Sequence, residues 1–215
     1  MSGKTKKITL TSMFIALAYV AVAVGRIPIV LFLKYEPKDI IITLSGLIMG
    51  PITALTVSVA TSLLEMFTIS DTGIIGLLMN VISTCAFACT AAVIYKRKRT
   101  LGGAVAGIVT GYVAMVVTML LWNYIITPLY MKIPRKDVVA LIFSAILPFN
   151  LLKGGLNSAF TFLLYKPVIE GLRKARLIPK EDESAKRKTN IPLIAVSLAV
   201  IVTCVLVVLS INGII

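Results

Sequence analysis

Long apolar runs separated by short charged or polar breaks make up most of the chain. They fall at about residues 8–25, 39–68, 73–95, 102–129, 137–169 and 191–211. One membrane-crossing helix needs roughly 20 predominantly apolar residues. The run at 39–68 is long for one crossing and short for two, and Gly50-Pro51 interrupts it. Proline inside a helix removes a hydrogen bond and clashes with the preceding turn. The pattern therefore predicts two short helices that turn at Gly50-Pro51. The run at 137–169 is too long for one upright crossing. Pro148 is expected to divide it into a short outer helix or loop over 137–147 and a span that starts near Pro148, where a missing N–H costs little.

Charge placement decides between the readings of 39–68. Cytoplasmic flanks of membrane helices carry the excess of Lys and Arg. With a hairpin at Gly50-Pro51 and a cytoplasmic N-terminus, the inner side holds Lys4, Lys6, Lys7, the run Lys96-Arg-Lys-Arg99 and the cluster between Lys166 and Lys188. The outer side holds only Arg26, Lys34, Lys38, Lys132, Arg135 and Lys136. A single crossing at 39–68 would move both large clusters outside. The expected architecture is thus all-α, an integral membrane six-helix bundle over 1–170. A charged cytoplasmic linker over 171–190 and an extra C-terminal transmembrane segment over 191–215 follow it.

Composition agrees and narrows the function. The chain has 215 residues, 58% of them hydrophobic, with 14% charged and a mean hydropathy of +0.98. Soluble domains rarely have this profile. The net charge of +13 sits in short runs between apolar segments. That placement gives topology and a lipid-bilayer setting rather than a nucleic-acid partner. Histidine is absent from the sequence, which removes the commonest general base and metal ligand. Cys85, Cys89 and Cys204 all lie in apolar runs and read as packing residues. The phosphate-cradling Gly-x-x-x-x-Gly-Lys-Ser/Thr loop, His-Glu-x-x-His and Gly-x-Ser-x-Gly do not occur. The chain reads as a binding protein without a cofactor, not an enzyme.

Candidate site residues are the polar groups inside the apolar runs. Asn150 and Lys153 are three residues apart, and Asn157 continues the same helix face. A lysine in hydrocarbon costs roughly 2.5–3.5 kcal/mol on insertion scales. A partner, a ligand or a water-filled cavity offsets such a cost. The alternative is that Lys153 snorkels to the outer interface and Asn150 caps the helix. Asn123 closes the fifth span beside the belt residue Trp122, and Asn80 lies in the fourth. Tyr35, in the outer loop, is placed to fold over a ligand as part of a lid. Asp39 is expected to cap the next helix. Glu65 is the acid most clearly inside an apolar run, and partial solvation at the outer end of its span is expected. Gly103, Gly107 and Gly111 recur every fourth residue, which lets helices approach closely.

Three stretches carry a family resemblance: Leu33-Lys-Tyr-Glu-Pro-Lys-Asp39 running on to Gly46-Leu-Ile-Met-Gly-Pro51, Asn123-Tyr-Ile-Ile-Thr-Pro-Leu-Tyr130, and Pro148-Phe-Asn-Leu-Leu-Lys-Gly154. With the span pattern, the chain resembles the substrate-binding S component of energy-coupling factor (ECF) vitamin transporters over about residues 8–170. Within that group it is most similar to the riboflavin-specific one. The resemblance implies a multi-pass cell-membrane protein whose vitamin pocket opens outward beneath the loop between spans one and two. It further implies a transmembrane coupling protein and two ABC-type ATPases as partners, and release of the vitamin by toppling in the membrane. The family's Ala-xxx-Ala docking pattern on span one is replaced here by Ser12-xxx-Ala16 and Ala21-xxx-Gly25. A flavin needs flat apolar walls, fixed amides and a cation, which Asn150, Asn123 and Lys153 fit. The competing expectation is a stand-alone ion-coupled secondary carrier for a small polar metabolite, with Glu65 as its coupling acid.

Overall fold

The structure, a computed structural model, describes residues 3–30, 33–178 and 191–211. Helix α1 spans Gly3–Gly25 and leads into an antiparallel hairpin of β1 (Ile27–Val30) and β2 (Leu33–Tyr35). Helices α2 (Lys38–Met49), α3 (Pro51–Thr68), α4 (Gly73–Arg97) and α5 (Leu101–Met131) follow. Helix α6 (Arg135–Leu141) passes through a π-helical turn, Ile142–Ile146, into α7 (Leu147–Lys174). Helix α8 covers Ile191–Ile211. Among the described residues, six helical stretches are long and apolar enough to cross a membrane: α1, α3, α4, α5, the continuous α6–α7 stretch and α8.

The Gly50-Pro51 hairpin is present. Gly50 adopts φ +105°, a conformation side-chain-bearing residues rarely reach, and Pro51 starts α3 at its first turn. Helix α2 is only 12 residues long, about 18 Å at the usual rise. That is shorter than a usual membrane-crossing helix. Helix α2 sits at the centre, packed against α1, α3, α4 and α7, with nine of its residues buried from Lys38 to Leu47. Whatever charge α2 carries at its N-terminus is therefore carried inside the protein.

Close helix approach shapes the rest. A Cβ at Gly111 would lie 2.4 Å from the Phe87 carbonyl oxygen, and one at Gly107 2.7 Å from that of Ala91. The four-residue glycine repeat is thus the contact face of α5 on α4. Thr100 caps α5 by accepting a hydrogen bond from the Gly103 N–H at 3.1 Å. Cys85, Cys89 and Cys204 are half-buried free thiols.

The all-α bundle expected from the sequence is present, with one short addition: the β1–β2 hairpin joins α1 to α2. The short outer helix and the span expected on either side of Pro148 are both present, as α6 and as α7 with Pro148 in its first turn, but no break parts them: the π-turn Ile142–Ile146 joins the two into one continuous helical stretch. Of the linker expected over 171–190, residues 171–174 belong to the end of α7, and residues 179–190 lie outside the described residues, as do 212–215. Helix α8 packs along α7, with Ile201, Cys204 and Val208 against a core formed by Ile29, Leu33, Tyr35, Phe149, Leu152 and Leu156.

Candidate functional site

Helix α7 carries a polar stripe: Asn150, Lys153, Asn157 and Thr161. The spacing of three or four residues keeps them on one face, and all four are buried. The face turns inward, toward the N-terminal end of α2. Lys153 does not snorkel to the outer interface. Its Nζ lies 2.9 Å from Oδ2 of Asp39, and its side chain is 7% exposed. Asn157 donates through Nδ2 to the same oxygen at 3.3 Å, and Thr84 of α4 donates its hydroxyl to Oδ1 at 2.7 Å. Asp39 is thus no helix cap. Pro37 occupies the position before α2, and the Asp39 carboxylate is spent on α4 and α7.

A second charged layer lies beside the first. Arg26, at the end of α1, places Nη2 3.0 Å from Glu36 and 3.4 Å from Glu65, and donates through Nη1 to the Ile69 carbonyl at 2.9 Å. Lys38 bridges Glu36, at 2.7 Å, and Glu65. Asn80 reaches both Glu65 carboxylate oxygens at 3.3 Å. Glu65 is therefore sealed and paired, not partly solvated as expected. A coupling acid must exchange an ion with water, and a carboxylate held by two cations in a buried cluster is poorly placed to do so.

Arg26, Lys38 and Lys153 face Glu36, Asp39 and Glu65, so the two layers together are formally neutral. Neutrality makes this much buried charge tolerable, since each pair offsets its own desolvation. Glu36, in the loop after β2, shows the balance. Burial opposes its ionisation, but the ammonium groups of Lys38 and Lys153 outweigh burial and hold its pKa down to about 2.

The remaining sequence candidates divide. Tyr35 is buried against Phe149, Leu152 and Leu156. That places it beside the α7 stripe. Burial, and secondly the Asp39 charge, push its phenol above the ordinary range. Its hydroxyl and the Asn157 Oδ1 are buried without a hydrogen-bond partner among the described residues. Asn150 donates to the Ile146 carbonyl at 2.8 Å. Asn123 is buried, donates to the Met119 carbonyl at 2.8 Å and accepts from Thr127 at 2.9 Å, so its bonds stay within α5. Asn80 belongs to the Glu65 layer rather than to the α7 stripe. A cleft of about 430 Å³ at the α4–α5 turn and one of about 50 Å³ between the end of α2 and the end of α4 contain none of these residues.

Sequence reasoning missed Asp39, Thr84 and the Arg26–Glu36–Lys38 group as interior residues. Their one local sign is that Lys38-Asp39 opens directly into an apolar run with no polar break. The arrangement offers fixed donors, acceptors and aromatic and aliphatic walls. No group of three or more His, Cys, Asp or Glu among the described residues is placed to hold a metal ion.

Comparison with known proteins shows the family. The family model described as "ECF transporter, substrate-specific component" matches residues 6–165. The riboflavin transporter RibU of Staphylococcus aureus (strain TCH60) is 28% identical over 181 residues, covering 80% of this chain and 94% of that protein. RibU of Streptococcus thermophilus (strain ATCC BAA-250 / LMG 18311) is 33% identical over 101 residues, covering 44% of this chain and 48% of that one. A solved S component of a bacterial ECF transporter superposes with a TM-score of 0.67 at 27% identity, covering 79% of this chain and 99% of that one. The chain is a multi-pass membrane protein and belongs to the family of substrate-specific components of ECF transporters.

Proposed function

We propose that this chain is the riboflavin-binding subunit of an ECF-type vitamin uptake transporter. A transmembrane coupling protein and two ABC-type ATPases on separate chains would supply the energy. The supporting observation is the inward, buried stripe Asn150–Lys153–Asn157 beneath the β1–β2 hairpin, in a chain whose relatives include proteins named as riboflavin transporters. Isoalloxazine is a flat ring with an apolar body and a polar, uracil-like edge, and the ribityl chain carries hydroxyls. Asn150 and Asn123 present amides that both donate and accept. Lys153 adds a cation that donates to a carbonyl or hydroxyl oxygen. Tyr35 and Phe149 supply aromatic wall, and the hairpin that carries Tyr35 covers the site.

The N-terminus is cytoplasmic in this reading. The basic runs favour it, and Lys6 reaches the Arg176 carbonyl at 3.4 Å, which puts the start of α1 and the end of α7 on one side. The test is purification of the full chain. Flavin absorbance and a co-purifying ligand of riboflavin mass support the reading. Asn150→Ala and Lys153→Ala should each weaken riboflavin binding by at least ~10-fold. Wild-type protein that takes up no riboflavin overturns it.

A further inference from the structure

We propose that Asp39 is a positioning residue of the binding site. It clamps Lys153 and Asn157 of α7 in the orientation that meets the ligand and ties α7 to α2 and α4. The proposal rests on the flavin-binding reading above.

The geometry is that of a fork. One carboxylate oxygen receives both Lys153 Nζ at 2.9 Å and Asn157 Nδ2 at 3.3 Å. These two residues are one helical turn apart, so a single oxygen fixes the spacing of the stripe. The other oxygen receives Thr84 Oγ1 at 2.7 Å. A carboxylate offers about four acceptor sites, and three are already occupied by protein donors. Asp39 is 1% exposed. It has little capacity left for a ligand, and it acts through the groups it holds.

Those groups keep capacity to spare. A lysine ammonium has three donors, and among the described residues Asp39 is the salt-bridge partner of Lys153. Asn157 Oδ1 is buried and unbonded. With Nδ2 committed to Asp39, the Asn157 amide cannot flip without losing a charge-assisted hydrogen bond. The clamp therefore decides that Asn157 presents its acceptor oxygen and where Lys153 aims its remaining donors. A lysine on its flexible four-carbon stem loses much freedom on binding, and one already held loses less.

The test is a mutant cycle in the full chain, read by quenching of riboflavin fluorescence. Asp39→Asn should weaken riboflavin binding by at least ~10-fold when Lys153 is present. In a Lys153→Met background, where Asn157 is the one stripe residue left for Asp39 to hold, the same change should cost less, about 3-fold. Thr84→Val removes one of the three bonds to Asp39 and serves if Asp39→Asn does not fold. It should cost about 3-fold with Lys153 and nothing measurable with Lys153→Met. Discrimination between riboflavin and N3-methylriboflavin or lumiflavin supplies a second readout. Asp39→Asn and Lys153→Met should change those ratios in the same direction, whereas a merely structural loss weakens all three flavins alike. Equal losses in both backgrounds, or no loss in either, overturn the clamp. Wild-type protein that does not bind riboflavin overturns the functional reading instead, and that arm is read before any variant.

Discussion

Lys153 of α7 and Asp39 of α2 form a sealed ion pair, Nζ to Oδ2 2.9 Å, that joins the longest continuous helical stretch of the protein to its shortest bundle helix. Breaking one half of a buried pair costs far more than removing both, because the survivor keeps its desolvation penalty. Lys153→Met should destabilise the ligand-free protein by about 3–5 kcal/mol. Asp39→Asn/Lys153→Met should recover part of that loss. Thermal unfolding in detergent, without flavin, measures both. A double variant less stable than either single one would mean the pair is not an isolated unit.

Glu36 makes stability depend on acid. Its folded-state pKa, about 2, lies below the ordinary 4.5. A carboxyl depressed on folding contributes stability in full above its unfolded value and loses it as pH falls through the folded value. The expected loss therefore runs from about pH 4.5 down to about 2, by a few kcal/mol. Glu36→Gln should flatten this part of the profile. The measurement is the unfolding temperature against pH for both proteins, and parallel profiles would assign the acid sensitivity to other groups.

Much of the bundle was legible in the sequence, because membrane helices are written in local hydrophobic runs. Gly50-Pro51 marked the hairpin, and the spacing of Asn150, Lys153 and Asn157 marked the inward face of α7. The partners of those residues were not legible. Asp39 meets Lys153 only because the short α2 is packed at the centre of the bundle, a fact of tertiary structure. Glu65 looked like a solvated end of a span for the same reason, since Lys38 and Arg26 reach it only through the α2–α3 hairpin and the end of α1. The β1–β2 strands were hidden by their brevity and by Pro28, which weakens a strand signal. The π-turn joins α6 to α7 where pattern reading treats Pro148 as a break.

Glycine on α5 should be sensitive to a single methyl group. At Gly111 a Cβ would meet the Phe87 carbonyl at 2.4 Å, on backbone that cannot swing aside. Gly111→Ala should destabilise by about 1–3 kcal/mol, even though alanine is the better helix former by about 1 kcal/mol. Gly171, in α7, has nothing within 4 Å of the same position. Gly171→Ala should leave stability unchanged or raise it. Opposite signs in thermal unfolding confirm the α4–α5 contact, and equal signs refute it.

Helix α8 lies beyond the residues matched by the family model, and its seat on α7 is testable by chemistry. A Cβ at Gly155 would lie 3.5 Å from Cys204 Sγ and 3.7 Å from Val200 Cγ1. That is close to the separation of a Cβ from the far sulfur of a disulfide. Gly155→Cys, with Cys85 and Cys89 replaced by alanine, should therefore cross-link to Cys204 on mild oxidation. The product is intramolecular, loses two hydrogens by intact mass, and reverts with a thiol reductant. Moving the cysteine to Leu151, one turn away and 45% exposed, should abolish the link. Helix α8 also packs near Ile29, Leu33 and Tyr35 of the hairpin, so the cross-linked protein should hold that hairpin more firmly. The expected sign is slower proteolysis of the outer loop in the oxidised form than in the reduced form. A Gly155→Cys protein that stays fully reduced, or that links only between molecules, would place α8 elsewhere on the bundle.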